Sequence, residues 1–302
     1  MIVTVTLNPA IDKTCFVERL TIGSINRMQK VEQIAGGKGV NVTKILRQFG
    51  YPVKAMGFLA GSGGAFIEKT LSKMGAECDF TYVEGETRTS TNIIDADETV
   101  TEVLEPGFTV SQEEVEQFVS TFEERVEGAE IVVFSGSIPC GVPSDIYKRL
   151  IRMAKEKGCK TFLDTSGEAL SEGLAAVPYF VKPNAKELVD YVGIVLNGKE
   201  DMAYQATKLC EKGIGKVVVT LGAQGLVAVT PSDVIYHDVY PVKVTNTVGC
   251  GDTVVASYVM SELSGDDGKE AAKKASALAA ANAATMENGN ISKETYEKLL
   301  NS

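Results

Sequence analysis

Ile131-Val132-Val133-Phe134 is a short β-rich run, and Thr161-Phe162-Leu163 is another. Between them Pro143-Ser144-Asp145 offers capping side chains to an amphipathic stretch that stops at Lys157-Gly158. Read outward, the same rhythm continues through Phe180-Val181 and Lys216-Val217-Val218-Val219-Thr220, each flanked by a helical pattern. Strands alternating with helices predict an α/β fold, a central mostly parallel sheet covered by helices. Two regions break the rhythm, about 13–34 and 80–104, where polar and apolar residues alternate without a long helical signal. They predict a small β-sheet, which cannot bury both faces alone and should cover either the active site or the same sheet of a second copy. The other reading is an antiparallel extension of the main sheet.

The 302 residues, 44% hydrophobic and without repeats or a low-complexity linker, suffice for one domain over 1–302 with these two segments as an appendage. Met1-Ile2-Val3-Thr4-Val5-Thr6-Leu7 lacks the basic start of a targeting segment, and no apolar run reaches membrane-spanning length. The expectation is a cytoplasmic protein with no membrane partner. A net charge of −10 leaves no general basic field, so nucleic acid is not an expected partner. An acidic protein that handles anions must concentrate a few cations and N–H groups at one place. The six cysteines form no C-x-x-C pair, and His237 is the only histidine, so zinc and a disulfide framework are disfavoured. His237 itself reads as a surface or edge residue.

Asn246-Thr247-Val248-Gly249-Cys250-Gly251-Asp252 leads into a helical pattern from Thr253 to Leu263, with Val255, Tyr258, Val259 and Leu263 for a buried face. A glycine turn opening a helix presents unpaired N–H groups and the positive end of the dipole, a cradle for phosphate oxygens. Asp252 would repel a phosphate there unless it takes a proton beside it; the plainer reading is an acid that complements the dipole. A second cluster, Gly36-Gly37-Lys38-Gly39-Val40-Asn41-Val42, opens a helix toward Gly50 and offers Lys38 and Asn41 as donors. It is not a P-loop, because Gly39 follows Lys38. Gly61-Ser62-Gly63-Gly64-Ala65-Phe66 is not a dinucleotide fingerprint, because Phe66 takes the third glycine position.

The two glycine clusters, in this order and at opposite ends of the chain, resemble the ribokinase or PfkB family of carbohydrate kinases. Thr6-Leu7-Asn8-Pro9-Ala10-Ile11-Asp12, Ile25-Asn26-Arg27, Glu86-Thr87-Arg88 and Ser135-Gly136-Ser137-Ile138-Pro139 are similar to its branch of 1-phosphofructokinases and tagatose-6-phosphate kinases. The resemblance implies a ribokinase-like fold with a β-sheet lid and transfer of a phosphoryl group from ATP, with Mg²⁺, to a small sugar phosphate. It implies Asp252 as base and Gly249, Cys250 and Gly251 as the anion hole. Asp12, Gly36, Gly37 and Asn41 would hold the sugar, and Arg88, with Lys38, Ser137 and Arg27, its phosphate. Lys182, Asn184, Thr220, Gly222, Gly225, Val248, Gly251 and Asn282 would meet the nucleotide, and Glu187 the magnesium, through a water. Three departures stand out: Asn246 where much of the family has Asp, Cys250 where Ala or Ser is usual, and Thr89-Ser90-Thr91-Asn92 after the arginine. Fructose 1-phosphate leads tagatose 6-phosphate as substrate; a kinase of an unphosphorylated sugar or nucleoside and a non-catalytic sensor are the competing readings. A homodimer through the lid sheet stays open.

Overall fold

The β-branched and aromatic runs form strands and the amphipathic stretches form helices in a computed structural model that describes residues 1–97, 99–286 and 288–302. In chain order the elements are β1 (Ile2–Thr6), β2 (Ala10–Phe16), β3 (Lys30–Gly36), α1 (Lys38–Gln48), β4 (Val53–Leu59), α2 (Gly61–Lys73), β5 (Glu77–Tyr82), β6 (Thr89–Ile94) and β7 (Val100–Leu104). There follow α3 (Gln112–Arg125), β8 (Ile131–Ser135), α4 (Ile146–Glu156), β9 (Lys160–Asp164), α5 (Gly167–Leu174), β10 (Phe180–Val181), α6 (Ala185–Val192) and α7 (Gly198–Glu211). The chain ends with β11 (Lys216–Thr220), β12 (Leu226–Val229), β13 (Val234–His237), α8 (Cys250–Ser264), α9 (Gly268–Ala283) and α10 (Lys293–Leu300).

Among the described residues the main sheet runs β13-β12-β11-β10-β9-β8-β1-β4-β5, parallel except for β12 and β13. Side chains alternate across it. Val3, Val5, Val132, Phe134 and Leu163 pack on one face with α3 and α4, whereas Ile2, Ile131, Val133 and Phe162 meet α1, α8 and α9 on the other. Each such burial is worth roughly 1.5–3 kcal/mol. Phe162 stacks on Phe180 at 4.6 Å and Phe180 meets Tyr258 at 5.1 Å, which seats α8 against the sheet. The predicted helix after Asp252 is longer and more deeply set than a one-faced pattern implies: every residue from Asp252 to Ser261 is buried. From β1 the chain steps to β4 and β5, then returns to β8 on the other side of β1. Ligands of open α/β sheets gather at the carboxyl ends of strands beside such a reversal.

The second sheet runs β3-β2-β6-β7, with β2 parallel to β6 and the outer pairs antiparallel. It is separate from the main sheet, as a lid requires, but its limits differ from the reading of 13–34 and 80–104. Residues 80–82 belong to β5, which pairs with β4 in the main sheet, while β2 and β3 extend to Ala10 and Gly36. The physical reason is that edge strand β5 alternates polar Glu77, Asp79 and Thr81 with apolar Cys78, Phe80 and Tyr82, as a lid strand does. Glu98, within 80–104, lies outside the described residues. No helix among the described residues is long and apolar enough to cross a membrane.

Candidate active site

The glycine turn and α8 form as the sequence suggests. Gly249 is the N-cap of α8 at φ +81°, a conformation that favours glycine, and no side chain caps the helix. Free N–H groups at this end therefore face a cavity of about 650 Å³. The Cys250 thiol is tied to α9: Sγ donates to the Ala279 carbonyl at 3.5 Å and lies 3.5 Å from Asn282 Nδ2. Asn246 accepts from the Val248 N–H at 2.9 Å through its side-chain oxygen, which fixes the turn without the acid found in much of the family.

Asp252 is buried in the first turn of α8 and accepts a 2.8 Å hydrogen bond from Asn41 Nδ2 of α1. Burial, and then Asp164, push its carboxyl up to about 7, against Lys38, Asn41 and Lys182. A carboxylate so poised is half ionised near neutral pH, which suits a general base. Asp164, at the end of β9, is wholly buried and binds Lys38 Nζ at 3.0 Å and Lys182 Nζ at 3.2 Å. Burial alone would raise Asp164, but Lys182 and Lys38 outweigh it and hold the carboxyl below the usual range. Burial likewise works against the Lys38 charge, and Asp164, Asp252 and Glu187 reverse it, so Lys38 stays protonated. Two ammonium groups are thus held beside the α8 N-terminus in a protein with a net charge of −10. Asp164 is the residue that holds them together, and sequence reasoning missed it; an acid closing the run Thr161-Phe162-Leu163-Asp164 was the available signal.

Asn184 caps α6 and exchanges 2.8 Å hydrogen bonds with Glu187, the backbone N–H of each donating to the other's side chain. One carboxylate oxygen of Glu187 is used in this box, and the other lies 3.8 Å from Lys38 Nζ. Lys182, Asn184, Thr220, Gly222, Gly225, Val248 and Gly251 all line the cavity. Its apolar part is made by Val239, Tyr240, Val242 and Val244 with Ala279, Ala280 and Ala283 of α9, none of which the sequence reading singled out. Asn282 is a different matter. It is buried behind the turn, donating to the Val248 carbonyl at 2.9 Å and accepting from the Gly289 N–H at 3.2 Å, so it shapes the turn instead of facing the cavity.

A second group of residues, at the lid, lies outside the lining of that cavity and joins it through Asn41 and Asp252. Gly37 caps α1 at φ +100°, and Gly36 lies so close to Asp12 that a Cβ there would overlap its carboxylate. Asp12 Oδ2 accepts from Asn288 Nδ2 at 3.0 Å, and burial raises its pKa against Asn288, Lys44 and Arg88. Arg88 Nη2 donates to the Asn8 carbonyl at 3.3 Å, and Asn8 Nδ2 reaches Ser137 Oγ at 3.3 Å. The Arg88 Nε and the Asn8 and Asn41 side-chain oxygens are buried without a hydrogen-bond partner among the described residues, as groups awaiting a polar ligand would be. Arg27 is not brought in: it is exposed in the connection 17–29 between β2 and β3. His237 sits on edge strand β13, ring to ring with Tyr240 at 5.5 Å, and lies outside the cavity's lining.

The model of the pfkB family of carbohydrate kinases matches residues 5–295. The chain is 36% identical over 259 residues to the 1-phosphofructokinase of Bacillus subtilis (strain 168), covering 86% of this chain and 84% of that protein. Among solved structures, the tetrameric inhibited form of Escherichia coli phosphofructokinase-2 superposes with a TM-score of 0.92 at 27% identity, covering 99% of this chain and 98% of that one. Arabidopsis thaliana ribokinase complexed with ribose and ATP matches at a TM-score of 0.80 and 22% identity, over 99% and 98% of the two chains, which bears on the ribokinase-like fold alone.

Proposed function

The chain belongs to the pfkB family of carbohydrate kinases, and from that premise we propose that it transfers the γ-phosphoryl group of ATP to fructose 1-phosphate, giving fructose 1,6-bisphosphate. The observation that carries this reading is the buried Asp252 on Asn41 at the uncapped N-terminus of α8, with Lys38 and Lys182 held beside it by Asp164. The reading treats 1–302 as one kinase domain with the four-stranded sheet as its lid.

In this reading the nucleotide base lies between the Val239–Val244 segment and the alanines of α9, and its phosphates point to Lys182 and the N–H groups of Gly249 to Asp252. Asp12, Gly36, Gly37 and Asn41 take the sugar hydroxyls. Arg88, with Lys38 and Ser137, takes the phosphate that the substrate already carries, a role that fits a guanidinium with one unused N–H. Asp252 accepts the proton of the attacking hydroxyl, and the turn stabilises the charge that develops on the transferred group. The remaining Glu187 oxygen fits a Mg²⁺ ion that keeps its waters, and such an ion supplies neutralisation of the phosphate charge. We read the protein as cytoplasmic, and the exposed Val100, Val103 and Leu104 of β7 favour a homodimer through the lid.

The test is ADP release from Mg-ATP against fructose 1-phosphate, tagatose 6-phosphate, fructose 6-phosphate, fructose and ribose. Turnover of fructose 1-phosphate above the others, lost in Asp252→Asn, is the expected result. Turnover of tagatose 6-phosphate alone would replace the substrate, and turnover only of the unphosphorylated sugars would remove Arg88 from the site.

A further inference from the structure

Asn288, in the connection between α9 and α10, is buried and joins the two halves of the site. Its Nδ2 donates to Asp12 Oδ2 on lid strand β2 at 3.0 Å, and its Oδ1 accepts from Asn246 Nδ2 at 2.7 Å. Asn246 in turn accepts from the Val248 N–H at 2.9 Å, at the head of the phosphate-binding turn. The Asn288 carbonyl accepts from Lys44 of α1, whose ammonium also donates to the Ala35 carbonyl near the end of β3. Asn288 also flanks the helix cap, since a Cβ on Gly249 would stand 3.6 Å from the Asn288 Cβ. A short side chain that donates at one end and accepts at the other is an asparagine; an aspartate donates only when protonated, and a leucine does neither. The opposite amide orientation would set an oxygen against the Asp12 carboxylate, so the arrangement has one satisfied form.

We propose that Asn288 is a positioning residue that couples occupation of the sugar site at Asp12 to alignment of the turn Val248–Asp252. The proposal rests on the kinase reading above. A sugar hydroxyl bound by Asp12 shifts or reorients its carboxylate, the amide follows, and Asn246 carries the change to the N–H groups that meet the phosphoryl group. Because such coupling is reciprocal, nucleotide bound at the turn must tighten sugar phosphate binding by the same factor.

The experiment is calorimetric titration of fructose 1-phosphate with and without a non-hydrolysable ATP analogue, in the wild type, Asn288→Ala and Asn288→Asp, with each variant's Tm recorded. In the wild type the analogue tightens sugar binding by about fivefold or more, the lower end of ordinary coupling. In Asn288→Ala that ratio falls to near one, whatever happens to the affinity for either ligand alone. Asn288→Asp adds a readout that a packing role would not move. Lys44, Arg88 and Glu102 are the described charged groups facing Asp12, and the new carboxyl can share a proton with it. Its kcat/KM relative to the wild type therefore recovers as pH falls from about 8 to about 6, while that of Asn288→Ala stays flat. An unchanged coupling ratio in Asn288→Ala, or a deficit of Asn288→Asp that ignores pH, overturns the proposal and leaves the kinase standing. A wild type that binds none of the phosphosugars overturns both.

Discussion

The nine-stranded and four-stranded sheets draw on the same β-formers, yet they meet water differently. In the large sheet β1, β4 and β8 are buried along their whole length, and the acids beside them are held by the protein itself: Asp164, at the end of β9, by two lysines and Asp252, on α8, by Asn41. In the small sheet β7 is exposed throughout, Val100 to 58%, and the Arg88 Nε and Asn8 oxygen beside it lack partners among the described residues. One region is organised for phosphoryl transfer as it stands. On the proposed reading the other becomes complete with a sugar phosphate on its inner side and a second copy on its outer side. The difference teaches that charge is fixed where reorganisation would slow the reaction, and left open where substrate must enter.

The largest expected effect breaks the organised half. Asp252→Asn lowers kcat by about 10²- to 10⁴-fold, read in the ADP-release assay, with sugar and nucleotide affinity retained. In the wild type kcat/KM rises with pH through about 7 as the carboxyl ionises, and the variant loses that limb. Stability carries the opposite sign. Below about pH 4 the carboxyl is protonated in both states; above that the unfolded chain ionises first, so its contribution falls until about pH 7 and is level beyond. Asp252→Asn therefore gains more Tm over the wild type at pH 8 than at pH 4. A variant with full activity would end the comparison, since nothing in the organised half would then act as base.

Lys182→Met leaves half of a buried pair and should cost about 3 kcal/mol, the low end for such a break because Lys38 still faces Asp164. Urea unfolding measures this, and a loss below about 1 kcal/mol would mean that the cluster is less rigidly paired than its distances imply. Arg88→Ala tests the open half: KM for the sugar phosphate rises about 10- to 100-fold, as for a lost charged hydrogen bond, while the KM for ATP stays. Equal loss for fructose and for its phosphate would show that Arg88 supports the fold of the lid, not the phosphate. Val103→Asp, on the outer strand, weakens self-association seen by sedimentation and moves monomer stability by no more than about 0.5 kcal/mol. The smallest effect belongs to Cys250→Ala: its thiol faces Ala279 and Asn282, so kcat should change less than about twofold.

Much of this was legible along the chain. The runs at Ile131, Thr161, Phe180 and Lys216 are strands β8 to β11, and both glycine clusters cap helices at the cavity. Local patterns suffice there, because hydrophobic period selects strand or helix and positive φ selects glycine. The limits of the lid were less legible, since edge strand β5 alternates polar Glu77, Asp79 and Thr81 with apolar Cys78, Phe80 and Tyr82 as a lid strand does. Asn282 looked like a ligand contact and is a support, because position near a motif does not say which way a side chain points. Asp164 carried no mark beyond closing a strand. It matters because Lys38 and Lys182, far from it or from each other in sequence, converge on one oxygen. Asn288 is the same case, joining Asp12 to Asn246.

The sequence by itself determined the layered fold, the family and the pair of glycine turns, because each depends on residues close together in the chain. Only the tertiary structure decided that Asp252 is buried and raised toward neutrality, that the Cys250 thiol is tied to α9 and that Arg27 stands apart. Burial and electrostatics sum over neighbours in space, and those neighbours come from strands and helices that only folding brings together.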